Sequence, residues 1–460
     1  MSLAEARPDT TVFDKLLDPD SFVPIRTHVR SATMPEGSAG DGVTIGEGRI
    51  NGRRVFWYEQ DPTVLGGSLG ETHADSICRI LDLAGRFGDP VIGVHRSGGA
   101  RIQEGVAALA GYGRIFARHV RLRKRVPQLA VVFGPCAGGA SYGPALMDFV
   151  LMSRAGAYMF LTGPDVVREV TGEEVSFDEL GGARVTARSG LASLVGDDEA
   201  ETLELTRRLF AFLPRTIGLM GVADTWRAPD ADPGRVVPDD PKATYDVRDV
   251  VRGVVDVDSL LELRADDAPN LVVGLATLEG RTIGVVANQP RHLAGSIDID
   301  ASRKGAWFVD LCDRFGFPIA VFVDTPGFLP GTAQELGGVI PAGASFLAAF
   351  VEATVPKATV VLRKAYGGAY IVMNSRDLGA DYSFAWPSAE IAVLGARGAV
   401  KILERKRLTS APDPEALRAE LEGNYRERYL SPWPAAQAGF IDEVIEPAHT
   451  RARLVSALIP

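Results

Sequence analysis

Cysteine is scarce in this chain: Cys78, Cys136 and Cys312 are the only three among 460 residues, widely separated and with no CxxC pair. Such a set builds neither a disulfide scaffold nor a thiolate zinc site, and it suits a reducing compartment. Histidine is nearly as rare. None of the six is paired at metal-ligand or triad spacing, so no metal is expected in this chain. Positive charge is in deficit, with 49 Lys and Arg against 59 Asp and Glu and a net charge of −10, which speaks against nucleic-acid binding. No apolar run approaches the ~20 residues of a membrane span. The start, MSLAEARPDTTVFDKLL, has no basic region followed by an apolar stretch, so no signal peptide is expected and the chain reads as cytoplasmic. What is present is ordinary globular composition, 46% hydrophobic and 23% charged, at a length that suits two or three domains.

The most informative feature is a long internal repeat. Ile50-Asn51-Gly52-Arg53 recurs as Leu278-Glu279-Gly280-Arg281, and Leu65-Gly66-Gly67-Ser68 as Leu293-Ala294-Gly295-Ser296, both at an offset of 228. Asp82, Arg86, Phe87, Gly88 and Pro90 find Asp310, Arg314, Phe315, Gly316 and Pro318 at the same offset. Val126-Pro127 and Gly138-Gly139-Ala140 recur as Val355-Pro356 and Gly367-Gly368-Ala369, one residue later. This period is far longer than that of a solenoid, so a whole domain has been duplicated. Between the copies a Pro- and Asp-rich stretch from Trp226 to Pro241 cannot continue a helix or a central strand. The expected organisation is residues 1–225, a linker 226–243, and residues 244–460.

Each copy has one plan. A turn at Asn51-Gly52 or Glu279-Gly280 enters a β-rich run, 53–57 or 282–287. A helix follows over 72–87 or 302–315, with apolar Ile77, Ile80, Leu81 and Ala84 at helical spacing in the first copy. The short apolar runs 90–94, 129–133, 318–323 and 358–362 read as strands buried on both faces. That pattern is α/β with right-handed crossovers.

In both copies a buried strand runs into a small-residue turn, Gly138-Gly139-Ala140 or Gly367-Gly368-Ala369. A helix starting there points free N–H groups outward from its positive end, and two such donors form an oxyanion hole. The alternative is a tight junction where only glycine packs. Repetition of the triplet in diverged copies favours function. Gly139-Ala140-Ser141-Tyr142-Gly143 also fits a G-x-S-x-G nucleophile elbow, but the second copy has Tyr370 where the first has Ser141, so the serine is not the duplicated feature. Ser97-Gly98-Gly99-Ala100-Arg101 reads either as an anion-binding turn with Arg101 holding a phosphate or carboxylate, or as a structural turn with a surface arginine. Pro326-Gly327-Phe328-Leu329-Pro330-Gly331 is its counterpart in the second copy. The basic cluster of Arg114, Arg118, Arg121, Arg123, Lys124 and Arg125 reads as a solvated helix face or a phosphate site.

With these residues in place, the chain resembles the carboxyltransferase (β) subunit of biotin-dependent acyl-CoA carboxylases of the propionyl-/acetyl-CoA carboxylase type. The resemblance runs over nearly the whole chain and is carried by long blocks, among them 63–74 (TVLGGSLGETHA), 97–113 (SGGARIQEGVAALAGYG), 134–149 (GPCAGGASYGPALMDF), 323–332 (VDTPGFLPGT) and 363–370 (RKAYGGAY). It implies two tandem crotonase-like (ββα superhelix) domains and a homo-hexamer of dimers, with the active site between the first domain of one protomer and the second of its neighbour. It maps one oxyanion hole to Gly138 and Gly139 and the other to Gly368 and Ala369. One would hold the thioester enolate and the other the ureido oxygen of biotin. Ser97, Gly98, Gly99, Ala100, Arg101, Tyr370 and Ile371 would line the substrate. The implied cofactor is biotin, as carboxybiotin on a separate carrier, and the implied partner is a biotin carboxylase/biotin carrier (α) subunit.

The chain departs from that family at several places. Ile371 stands at a position that lines the acyl pocket and is often Asp in propionyl-type members. His95-Arg96 replaces a common Asn-Asp, Pro341-Ala342 replaces Arg-His, and the helical lead of typical members is not seen before Phe13. These departures leave open the acyl group, CoA against a carrier-protein thioester, and a malonyl- or methylmalonyl-thioester decarboxylase running the same chemistry in reverse.

Overall fold

In the computed structural model of this chain, Asn51 and Gly52 take φ of 51° and 73°, and Glu279 and Gly280 take the same pair of angles. Both central residues are left-handed, as a two-residue hairpin turn of the right twist requires. The structure describes residues 12–31, 33, 39–215, 217, 225–240 and 243–459. Residues 1–11, read above for a signal peptide, and Pro241 and Lys242 of the expected linker lie outside the described residues. The chain forms two compact units, Met1–Gly221 and Val222–Pro460. Among the described residues, no helix is long and apolar enough to cross a membrane.

The first unit holds β1 (Val23–Ile25), β2 (Val43–Ile50), β3 (Arg53–Gln60), β4 (Val91–Ser97), β5 (Gln128–Ala137), β6 (Phe149–Ser153), β7 (Tyr158–Phe160) and β8 (Leu194–Gly196). They form one sheet in the order β1-β2-β3-β4-β5-β6-β8, with β7 also pairing to β5. The first three strands are antiparallel and the rest parallel. The second unit holds β9 (Leu261–Leu263), β10 (Leu271–Leu278), β11 (Arg281–Asn288), β12 (Ile319–Thr325), β13 (Lys357–Tyr366), β14 (Tyr382–Ala385), β15 (Glu390–Ala392) and β16 (Glu443–Val444). Their order is β16-β14-β13-β12-β11-β10-β9, with β15 on β13, so the two sheets share one topology strand for strand. The correspondence extends to an irregularity. Between β4 and β5 the register shifts from His95 to Ser97, and between β12 and β13 it shifts from Val323 to Thr325, the same positions at offset 228.

The expected helices form as Glu71–Phe87 and Ile299–Phe315. Ile77, Ile80, Leu81 and Ala84 face the core of the first unit, as their spacing predicts. Several strands run longer than their apolar runs suggest, β5 and β4 among them. The run 129–133 continues through Gly134-Pro135-Cys136-Ala137 because β7 supplies a second partner at Pro135, Cys136 and Ala137. β4 likewise extends to Ser97, whose partner beyond the register shift is Cys136. Both extensions carry the chain to the carboxyl edge of the sheet, where the glycine turns lie.

Three of the six histidines are inside the first unit: His73, His95 and His119 are 0%, 6% and 0% exposed. Burial pushes His73 and His95 down to about 3 and His119 to about 4, with Arg101 adding to the effect at His73 and His119 at His95. The unfolded chain binds protons at these groups from about pH 6.5 downward while the folded chain does not. Their contribution to stability is therefore complete above about pH 6.5 and is lost as pH falls toward 4 and 3. In a titration of labelled histidine followed by NMR, these three rings should stay neutral from pH 8 to pH 5; a ring among them that protonates near 6.5 would contradict the burial.

Candidate active site

The strand-to-helix turn of the first unit starts where β5 ends at Ala137. Gly138 caps the helix Gly139–Leu146 with φ 59° and ψ −128°, a conformation open to glycine and strained for any side chain. Its amide continues the β5–β7 ladder by donating to the Phe160 carbonyl at 3.0 Å. Its carbonyl accepts from the Ser141 amide at 3.1 Å and from the Ser141 hydroxyl at 2.7 Å. This corrects the expected donor at Gly138 and agrees with setting the serine aside. The Gly138 N–H is already bonded and is no oxyanion donor, and Ser141 is a buried capping hydroxyl, not an exposed nucleophile. Among the described residues, the Gly139 and Ala140 amides make no hydrogen bond. They are first-turn donors at the positive end of the helix.

The loop after β4 supplies a further donor. Gly98 N–H bonds the Gly66 carbonyl at 2.9 Å, and Gly99 N–H bonds Ser97 Oγ at 3.2 Å. Leu69 bridges the loop, its amide donating to the Gly99 carbonyl and its carbonyl accepting from the Arg101 amide. Ala100 is left between these two bonds, and its N–H has no partner among the described residues. Of the five loop residues singled out in sequence, only Ala100 offers an amide; Ser97, Gly98 and Gly99 hold the loop in shape. The loop lies against the β5 exit, since a Cβ on Gly99 would sit 3.1 Å from the Ala137 carbonyl oxygen. Ala100 and Gly139 thus present N–H groups from neighbouring strand ends.

Arg101 is neither a surface arginine nor free for a ligand. It is 1% exposed, and its Nη1 bonds Asp41 Oδ1 at 2.7 Å and Glu104 Oε1 at 2.8 Å while Nη2 reaches the Ser68 carbonyl at 3.1 Å. It does hold carboxylates, but they are the protein's own. In the basic cluster, Arg114 and Arg118 pair with Asp75 and Asp82, which supports the solvated-face alternative.

The second unit repeats the arrangement. β13 ends at Tyr366, and the helix Gly367–Val372 begins at once. Among the described residues, the Gly368 and Ala369 amides have no partner outside the regular elements, while Gly367 follows Tyr366, the last β13 residue paired to β15, as Gly138 follows Ala137. In the loop after β12, Ile297 bridges Gly327 and Leu329 as Leu69 bridges Gly99 and Arg101, leaving the Phe328 amide unpartnered among the described residues. Phe328 was not singled out in sequence as a donor, although the offset of 228 maps Ala100 onto it. Tyr370 donates its hydroxyl to the Phe440 carbonyl at 3.4 Å, and Ile371 stands 46% exposed.

Charged groups beneath the two loops differ in sign. Under the first, Arg96 bonds Glu59 at 3.3 Å and Glu199 at 2.9 Å. Burial pushes Glu59 up to about 7 against the pull of Arg96. Under the second, Asp324 occupies the equivalent position and bonds Arg363 at 3.1 Å and the Tyr245 hydroxyl at 2.9 Å, with burial raising its pKa. The His95-Arg96 departure is thus absorbed locally, His95 by the Tyr58 hydroxyl at 3.1 Å and Arg96 by the two glutamates. Of the other departure, Ala342 is buried and Pro341 exposed in the helix Val339–Glu352.

Comparison with known proteins identifies the family of the chain and the likeness of its fold. The carboxyl transferase domain family matches residues 10–459. The carboxyltransferase subunit of propionyl-CoA carboxylase from Haloferax mediterranei is 52% identical over 428 residues, covering 91% of this chain and 82% of its own. The propionyl-CoA carboxylase beta chain of Saccharopolyspora erythraea is 47% identical, covering 97% of this chain and 86% of its own. In structure the chain is similar to the transcarboxylase 12S hexamer solved with methylmalonyl-coenzyme A and methylmalonic acid bound, with TM-score 0.92 and 46% identity over 97% of this chain and 88% of that one. The two matching sheets and this likeness bear out the expected pair of tandem crotonase-like domains.

Arg101→Ala would leave Asp41 and Glu104 as buried carboxylates without their cation. The expected loss of stability is about 3–5 kcal/mol, checked by denaturant unfolding. A loss no larger than that of an exposed ion pair would contradict the assignment.

Proposed function

The chain belongs to the carboxyl transferase domain family, and from that premise we propose that it moves a carboxyl group from carboxybiotin to the α-carbon of an acyl-CoA thioester. The observation that carries this reading is the repeated pair of unpartnered amides, Ala100 with Gly139 and Phe328 with Gly368. Uncharged main-chain donors fit both oxygens that the reaction must hold, the thioester oxygen and the ureido oxygen of biotin. Carboxybiotin, carried on a separate subunit, supplies the carboxyl group and the base that takes the α-proton. The residues of this chain bind and orient. Ala100 and Gly139 donate to the thioester oxygen as negative charge develops on it, and the dipole of the Gly139 helix adds to their effect. Phe328 and Gly368, flanked by Gly367 and Ala369, take the corresponding place toward the ureido oxygen. No side chain of this chain needs to change protonation.

Ile371 and Tyr370 sit at the first turn of the second helix and set the apolar character of the acyl side, so a short unsubstituted or alkyl acyl chain is the proposed substrate class. Similarity to a hexameric transcarboxylase supports a homo-hexamer, read as a native mass six times the 49.1 kDa of one chain.

The test is carboxyl transfer across a panel of acyl-CoA and acyl-carrier thioesters with a biotinylated partner supplied. Gly139→Val and Gly368→Val keep the amide but crowd the turn and push it out of donor geometry, so each should lower turnover by roughly 10²–10³-fold, as when one oxyanion donor is lost. Full turnover by both variants would sink the reading, and release of CO2 from malonyl thioesters without biotin would replace it with the decarboxylase.

A further inference from the structure

Each glycine turn has an aromatic ring against its second glycine, and the two rings come from different elements. In the first unit a Cβ on Gly139 would sit 3.1 Å from the ring of Tyr112, which the helix Val106–Leu122 supplies. In the second unit a Cβ on Gly368 would meet the edge of the Phe328 ring at 3.9 Å. Phe328 lies in the loop after β12, and its counterpart at offset 228, Ala100, carries only a methyl group.

The half-buried Phe328 ring has little freedom. Its Cε1 and Cζ would lie 3.1 Å from a Cβ on Gly343, a buried residue inside the helix Val339–Glu352, while its Cε2 is the atom facing Gly368. The ring therefore spans the space between that helix and the turn. Glycine within a helix costs about 1 kcal/mol against alanine, and here the space a methyl group would fill is taken by the ring. At 3.1 Å the two could not both keep their places, and one would give by a few tenths of an ångström. The root of the side chain is held as well. Ile297 donates its amide to the Gly327 carbonyl at 3.1 Å and accepts from the Leu329 amide at 2.8 Å, so the main chain is pinned on either side of Phe328.

With its root pinned and one edge seated on the helix, the ring acts as a spacer for the turn. Close-packed interiors pass such displacements on instead of absorbing them. Resting on the oxyanion reading above, we propose that the Phe328 side chain is a positioning group for that turn: its ring, seated on Gly343, holds the Gly368 amide at a fixed place relative to the amide of Phe328 itself. One residue then supplies a donor with its main chain and sets the aim of the other donor with its side chain.

The test is a double-mutant cycle on the full chain with the biotinylated partner supplied. Gly343→Ala lies outside both donor pairs and sets one methyl group against the ring. It should lower kcat for carboxyl transfer by about tenfold with KM for the acyl thioester changed by less than about twofold, because a misaimed donor weakens the transition state more than substrate binding. Phe328→Leu keeps the amide, removes the far edge of the ring and should cost a similar factor. On that background Gly343→Ala should cost less than about twofold more, since the methyl group has no ring left to displace. Full kcat in either single variant, a rise in KM alone, or losses that multiply in the double variant overturns the positioning role. Gly368→Val assayed beside them separates the two claims. If Gly368→Val loses turnover while Gly343→Ala and Phe328→Leu keep it, only the positioning role fails; if all three are fully active, the oxyanion reading fails as well.

Discussion

At the carboxyl edge of each sheet the strand ladder stops one or two residues before a helix can supply its own hydrogen bonds, and the main-chain amides in that gap are left over. The rest of the site depends on this shortfall. An N–H group that water cannot freely reach must find an acceptor or carry a cost. In this chain the neighbouring amides are satisfied one by one: Gly138 by Phe160, Gly98 by Gly66, Gly99 by Ser97 and Arg101 by Leu69. Among the described residues of these turns, Ala100, Gly139 and Ala140 remain in the first unit, and Phe328 with Gly368 and Ala369 in the second. The economy of the surrounding bonds marks these amides out more clearly than any side chain does.

Most of the architecture was legible in the residues. The repeat offset, the Asn51-Gly52 and Glu279-Gly280 turns and the buried apolar runs led to two α/β copies, and the structure has two sheets of one topology. The Gly-Gly-Ala triplets marked two strand-to-helix turns, but at Gly138 the expected donor is already bonded to Phe160. Which amide of a triplet is free depends on where the ladder ends, and that is set by β7, a three-residue strand too short to announce itself. Arg101 was misread for a related reason. An arginine in a glycine loop reads as a surface or ligand-binding residue, and its two acidic partners include Asp41, sixty positions away. The unpartnered Phe328 amide was within reach of the repeat alone, yet a bulky residue draws no notice for its main chain when only side chains are weighed.

The two copies also show how differently one frame can be filled. Position 96 carries an arginine between two glutamates, and position 324 carries an aspartate between an arginine and a tyrosine. Gly134 leaves room for Arg96, since a Cβ there would sit 3.2 Å from the Arg96 Cγ, and its equivalent in the second copy is Arg363 itself. Each loop therefore rests on a buried, compensated charge, built by exchanging which strand carries the cation.

The register shift at His95 and Ser97, repeated at Val323 and Thr325, dates the arrangement. An irregularity shared by both descendants was present before they separated, so the ancestor was a single module already bent toward its edge loop. Such a module could offer only identical turns from identical subunits. Doubling the gene freed one to drift from the other, so that two turns once bound to be alike could come to differ.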